Sequence, residues 1–150
     1  MREKINADLK EAMKSGDKDR VSTLRLINAA IKSADIDARP TGKDKISDTD
    51  ILSVLAKMVK QRRDSIVQFE AGKRMDLVAV EQGEVAVLQG YQPAQMSETE
   101  IDAAIAAAIA STGASGPAGM GKVMAELKGK LAGRADMGAV SARVKAKLAS

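Results

Sequence analysis

Cysteine, histidine and tryptophan are all missing from this 150-residue chain, and one Phe and one Tyr are its only aromatics. Without cysteine there is no disulfide and no thiol nucleophile. Without histidine there is no Cys/His zinc site, no triad that needs imidazole, and no proton shuttle of the usual kind near neutral pH. Carboxylates, Lys, Ser and Tyr are what remains for chemistry, and no catalytic residue, metal ligand or cofactor site is expected. The shortage of aromatics argues against a β-sandwich or barrel, which draws on aromatic and β-branched residues. Long apolar runs are lacking too. The richest stretch, Ile101 to Ala110, is Ala-dominated and too short to cross a bilayer, and Met1 to Asn6 is charged rather than signal-like. No membrane association is expected, and the default location is cytoplasmic.

What the chain does contain is helix-forming. Hydrophobic residues make up 45% and charged residues 29%, a globular balance, and the apolar share comes mainly from Ala, Leu, Ile, Val and Met. The fold class read from composition is all-α. Periodicity and cap residues place the elements. A first helix runs from about Ile5 to Ser15 and stops at Gly16. Asp17 caps a second, with Val21, Leu24, Ile27, Ile31 and Ala34 on one stripe, and Arg39-Pro40-Thr41-Gly42 ends it. Ser47 or Asp48 caps a long third helix bearing Ile51, Leu55, Met58, Val59, Ile66 and Phe69, closed by Ala71-Gly72. A fourth covers Met75 to Gln89, with Leu77, Val80, Val85 and Leu88 as its apolar positions and Gly83 as a weak point.

Gly90-Tyr91-Gln92-Pro93 interrupts the pattern. Ser97 with Glu100 then forms a capping box for a helix with Ile101, Ile105 and Ile109 inward. After a small-residue loop from Thr112 to Gly119, a sixth helix spans about Met120 to Leu131 with Val123, Met124, Leu127 and Leu131 facing inward. Asp136 caps a last helix carrying Val140, Val144 and Leu148. These breaks predict an N-terminal domain of about four helices over residues 1–92 and a C-terminal three-helix bundle over 93–150.

Charge follows the same division. From Gly119 onward, seven basic residues (Lys122, Lys128, Lys130, Arg134, Arg143, Lys145 and Lys147) face two acids, Glu126 and Asp136, a net of +5 in a chain whose total is +4. Such a basic surface attracts polyanions, and these seven are the candidate RNA-binding residues. Lys122, Glu126 and Lys130 form an i, i+4 stripe that reads first as local salt bridging. Arg143 and Lys147 share a face with no acid between them, and Arg134 sits in the preceding turn, so this trio is the better set for phosphate contacts. Single-strand readers stack bases on aromatic rings, which this chain cannot do across several bases. RNA binding here would read backbone and shape, with strong salt dependence.

Other motifs weigh against their bland readings and lose. Gly116-Pro117-Ala118-Gly119-Met120-Gly121-Lys122 fits G-x-x-x-x-G-K, yet Val123 stands where a magnesium-binding Ser or Thr belongs, and an Ala-rich helix precedes it instead of a strand. No nucleotide is expected there. Ser111-Thr112-Gly113-Ala114-Ser115-Gly116 is similar to the Ser/Gly-rich stretches of amidases but has no amidase core around it, and reads as a loop. Glu81 and Glu84, one helical turn apart, read as a solvated face rather than as an acid/base pair. Lys60-Gln61-Arg62-Arg63 reads as helix surface.

Three stretches resemble one family. Lys57-Met58-Val59-Lys60-Gln61-Arg62-Arg63-Asp64-Ser65-Ile66, continuing to Phe69, is similar to the central helix of YqeY-type proteins. Tyr91-Gln92-Pro93 with Gln95 and Ser97 looks like their interdomain Y-L-P-x-Q-L-S segment, with Gln92 and Met96 replacing apolar residues. Gly121-Lys122-Val123-Met124 and Lys130-Leu131-Ala132-Gly133-Arg134-Ala135-Asp136 resemble the motif shared with the tail of the GatB subunit of Asp/Glu-tRNA amidotransferase. The resemblance implies an all-helical two-domain fold and a tRNA contact at Lys122, Arg134 and the final helix. It also carries the label of a glutamine-dependent carbon–nitrogen ligase, whose catalytic parts this chain lacks. The resulting expectation is a non-catalytic, tRNA-associated accessory protein. The alternative is a helical protein-interaction module that docks a protein partner through an apolar groove and binds no RNA.

Overall fold

The computed structural model describes residues 1–149. Among these the chain forms seven α-helices and two 3-10 turns, with no strand. Met1–Gln92 is one compact unit and the chain from Pro93 onward is another, each with its own apolar cluster.

In the first unit, α1 (Arg2–Ser15) begins three residues before the expected Ile5. The Met1 carbonyl accepts the Ile5 N–H at 3.1 Å, so the first turn closes directly at the terminus. Gly16, at φ 74°, ends the helix in the left-handed conformation. Asp17 caps α2 (Lys18–Ala38) by accepting the Arg20 N–H, and Leu24, Ile27 and Ile31 go into the core as their spacing requires. A 3-10 turn over Arg39–Thr41 leads toward α3 (Asp48–Ala71). Of the two caps left open by the sequence, Ser47 is the one used: its hydroxyl accepts the Asp50 N–H at 3.2 Å.

Ile51, Leu55, Met58 and Val59 of α3 are buried, whereas Ile66 and Phe69 are only partly covered. The tight reversal into α4 (Met75–Gln89) places Lys73, not a glycine, at φ 57°. Gly83 does not interrupt α4. Its face differs from the expected one: Val78 and Leu88 are buried, while Val80 is 58% exposed. Apolar residues surround this helix (Leu77, Val78, Ala79 and Val80 are consecutive), so spacing alone leaves the inward face open, and packing against α2 and α3 selects it. Fully burying a Leu or Ile in this cluster contributes roughly 1.5–3 kcal/mol each.

In the second unit, α5 (Glu98–Thr112) starts with the complete capping box, Ser97 accepting the Glu100 N–H and Glu100 accepting the Ser97 N–H. Ile105 and Ala108 are its buried residues. They meet Val123, Leu127 and Leu131 of α6 (Met120–Leu131) and Val140, Val144 and Leu148 of α7 (Met137–Ala149) in one cluster. Asp136 accepts the Gly138 N–H at 3.0 Å at the start of α7. The turn between α6 and α7 is partly buried, with Ala132 and Ala135 among the core residues, Asp136 exposed and Gly133 at φ 72°.

Candidate nucleic-acid interface

The basic residues of α6, α7 and their turn separate into two groups once their partners are known. Arg134 and Arg143 are held. Arg134 Nε donates to the Ala94 carbonyl at 3.0 Å, and its guanidinium lies 4.0 Å from Glu100. Its backbone carbonyl accepts the Met96 N–H at 2.8 Å, and next to it the Gly133 carbonyl accepts from the Gln95 amide at 2.7 Å. The Gly-Arg-Ala-Asp turn therefore pins the segment 94–96 that feeds α5. Arg143 donates to Asp102 at 2.7 Å and lies 3.2 Å from Glu98. The hydrogen bond to Asp102, reinforced by both carboxylates, raises the guanidinium pKa above its ordinary value.

The face shared by Arg143 and Lys147 is thus not free of acid. The sequence offers no acid on α7 between them, but α5 brings Glu98 and Asp102 against Arg143 from across the bundle. Arg143 is only about one-third exposed in consequence.

The lysines are presented differently. Lys122, Lys128, Lys130, Lys145 and Lys147 are all exposed. Lys130 pairs with Glu126 at 3.0 Å, the expected i, i+4 contact. An exposed pair of this kind contributes little and opens readily for a competing anion. On α6 and α7 the buried residues recur every fourth position, and the lysines occupy the remaining faces.

The phosphate-loop pattern is accounted for by packing. Pro117–Gly119 is a 3-10 turn, and the Gly119 N–H donates to the Gly116 carbonyl at 3.1 Å rather than into an open cradle. A β-carbon at Gly119 would lie 2.6 Å from that of Ala114. Close approach of two backbones requires this glycine. In the Ser/Gly-rich stretch, the Thr112 hydroxyl donates back to the Ala108 carbonyl at 2.8 Å, and Gly113 at φ 63° ends α5.

Two readings in the first unit are corrected. Arg62 is not helix surface: its Nε donates to Glu84 at 3.0 Å, and both side chains are more than 80% covered. Glu84 is accordingly not part of a solvated face but joins α4 to α3. Burial, and then the neighbouring Glu84 charge, pushes the Glu81 carboxyl above its usual range.

Other polar contacts had no local signal in the sequence. Arg2 forks onto Asp35, 33 residues away, and the Tyr91 hydroxyl donates to Asp8, 83 residues away, at 2.5 Å. Among the described residues no group of three or more His, Cys, Asp or Glu side chains is arranged to hold a metal ion. No described helix is long and apolar enough to cross a membrane.

Comparison with known proteins places this arrangement. The Yqey-like protein family matches residues 2–148. A protein of Pyrenophora tritici-repentis named altered inheritance of mitochondria protein 41, mitochondrial, is 36% identical over 134 residues, covering 88% of this chain and 71% of the relative. Proteins of the same name from Kluyveromyces lactis and Saccharomyces cerevisiae are 40% and 37% identical over 104 and 98 residues. Those alignments cover 67% and 65% of this chain but only 54% and 51% of the relatives, so the match spans about half of each yeast protein. The names also overturn the cytoplasmic expectation. That expectation rested on a default for a chain without an apolar signal or span, and relatives of the same sequence type are named as mitochondrial. With the match running nearly end to end, and with the Gly-Arg-Ala-Asp turn pinning the segment that feeds α5, the chain belongs to the YqeY family.

Proposed function

We propose that this chain is a non-catalytic accessory protein whose second unit docks on folded RNA, with tRNA as the substrate class, and that the two units are the four-helix and three-helix domains the family resemblance implies. The observation that carries the reading is the concentration of cations on α6, α7 and their turn, seven against two acids. Lys122 and Lys145 are exposed and make no ion pair among the described residues, and with Lys128, Lys130 and Lys147 they are assigned the phosphate contacts. Arg134 and Arg143 hold segment 94–96 and α5 in place, and reach phosphate only by giving up their intramolecular partners. With so few aromatics, the contact is to backbone and shape, which favours a folded RNA over a single strand.

A filter-binding salt titration with tRNA tests this. The double variant Lys122→Glu/Lys145→Glu is expected to bind more weakly. Each lysine withdrawn from a phosphate should reduce the slope of log K against log salt by about 1. Affinity and slope equal to those of the wild type would sink the proposal. Unstructured single-stranded RNA of the same length is expected to bind less tightly than tRNA.

A further inference from the structure

The first unit carries a surface that the RNA reading does not use. α1 and α2 flank a groove of about 600 Å³, lined by Ala12, Met13, Val21 and Leu26 together with Lys18 and Arg25. Met13 is 53% and Leu26 43% exposed, although both are large apolar side chains. We propose that this groove docks an acidic amphipathic helix of a partner protein.

The apolar lining supplies the anchor sites of a helix-in-groove interface, and a flexible methionine suits it to more than one anchor shape. The charge around it selects the partner. Lys18, Ser22 and Arg25 stand at i, i+4 and i+7, on one face of α2, with the two cations about 10 Å apart along the helix axis. No carboxylate lines the groove. Asp17, Asp19 and Asp8 of the same stretch have other surroundings. Asp17 and Asp19 line a neighbouring cavity of about 350 Å³ with Glu84, which shares only Ser22 with the groove, and Asp8 faces Arg20 at 3.8 Å. Neither Lys18 nor Arg25 makes an ion pair among the described residues. Two unneutralised cations beside uncovered apolar surface therefore call for a helix with apolar residues at i, i+4 and i+7 and carboxylates roughly two turns apart on its flank.

The test uses the full chain with ¹³C-labelled methionine methyl groups, Met13 being assigned by Met13→Leu. The probes are two helical peptides with identical Leu faces, one flanked by Glu and one by Lys. Saturable binding of the Glu peptide that shifts the Met13 methyl is expected, with the Lys peptide weaker. Lys18→Glu/Arg25→Glu should weaken the Glu peptide about ten-fold or more and improve the Lys peptide. Both positions are exposed, and a Glu at residue 18, in the first turn of α2, complements the helix dipole, so loss of fold is not the expected cause. Equal binding of both peptides, no saturable binding, or an unmoved Met13 methyl would overturn the proposal. So would a Met13 shift that follows protein concentration without peptide, which assigns the groove to a second copy, or one that follows added tRNA instead.

Discussion

Arg143 of α7 donates through Nη1 to Asp102 of α5 at 2.7 Å, while its second terminal nitrogen lies 3.2 Å from Glu98. A guanidinium between two carboxylates of another helix is a clamp, and its partners fix its direction. Arg143→Ala is therefore expected to lower the melting temperature, and on the proposed RNA reading to leave tRNA affinity within a few-fold of wild type. Asp102→Asn should reproduce much of the loss, and the double variant should lose less than the sum of the two. Thermal melts of the four proteins form the cycle. Additive losses would show that the two side chains do not act together.

Asp35 gives an acid-side prediction. Arg2 donates to it at 2.8 Å, and the Ile46 N–H donates to it at 2.8 Å as well. The Arg2 hydrogen bond first, and then the Ile46 amide, bring its pKa from 3.8 down to about 2. A depressed carboxylate pKa means that the unfolded chain binds the proton more readily. The stabilisation is thus complete above about pH 4 and is lost as pH falls from 3.8 toward 2. Melting temperatures measured across that window should drop, and Asp35→Asn should be less stable at neutral pH with a shallower acid limb. A wild-type limb no steeper than that of Asp35→Asn would remove the role assigned to this pair.

What was legible in the sequence depended on how local the determinant is. The capping box at Ser97 and Glu100, the glycine stop at Gly16 and the stripe Leu24, Ile27, Ile31 are set within one or two turns, and they appear where the residues place them. The face of α4 was not legible, because apolar residues surround the helix and only its neighbours distinguish Val78 from Val80. The basic candidates were legible as charge but not as geometry. Arg143 looks unopposed along α7, and the Asp102 that opposes it comes from 41 residues earlier. Likewise nothing near Arg62 announces Glu84 as its partner, 22 residues on. Pairings across helices depend on crossing angles and register, which a one-dimensional pattern does not contain.

Two glycines of the phosphate-loop pattern should respond in opposite ways. A β-carbon at Gly119 would meet that of Ala114 at 2.6 Å, so Gly119→Ala forces backbone to move and should cost ~1–3 kcal/mol. Gly121 lies inside α6 with nothing within 4 Å of an added β-carbon. Gly121→Ala should stabilise by ~0.5–1 kcal/mol through helix propensity and a less free unfolded chain. Urea unfolding of both variants checks the contrast. A phosphate-binding loop predicts instead that both substitutions leave stability alone and abolish nucleotide binding.

Tyr91 offers a spectroscopic reading of the first unit, since it is the only tyrosine in a chain without tryptophan. Burial first, and then its hydrogen bond to the Asp8 carboxylate, push its pKa from 10.0 up to about 12. A titration of tyrosinate absorbance should therefore have its midpoint near pH 12 in the folded protein and near 10 in denaturant. For a phenol whose folded pKa is raised, the unfolded chain releases its proton first. Its contribution to stability is complete below about pH 10 and is lost as pH rises toward 12. Asp8→Asn removes the charge but not the burial, and burial is the larger cause, so its midpoint should fall only part of the way back. A midpoint near 10 in the folded wild type would mean that Tyr91 is solvated and not bonded to Asp8. A complete return to 10 in Asp8→Asn would reverse the order of the two causes.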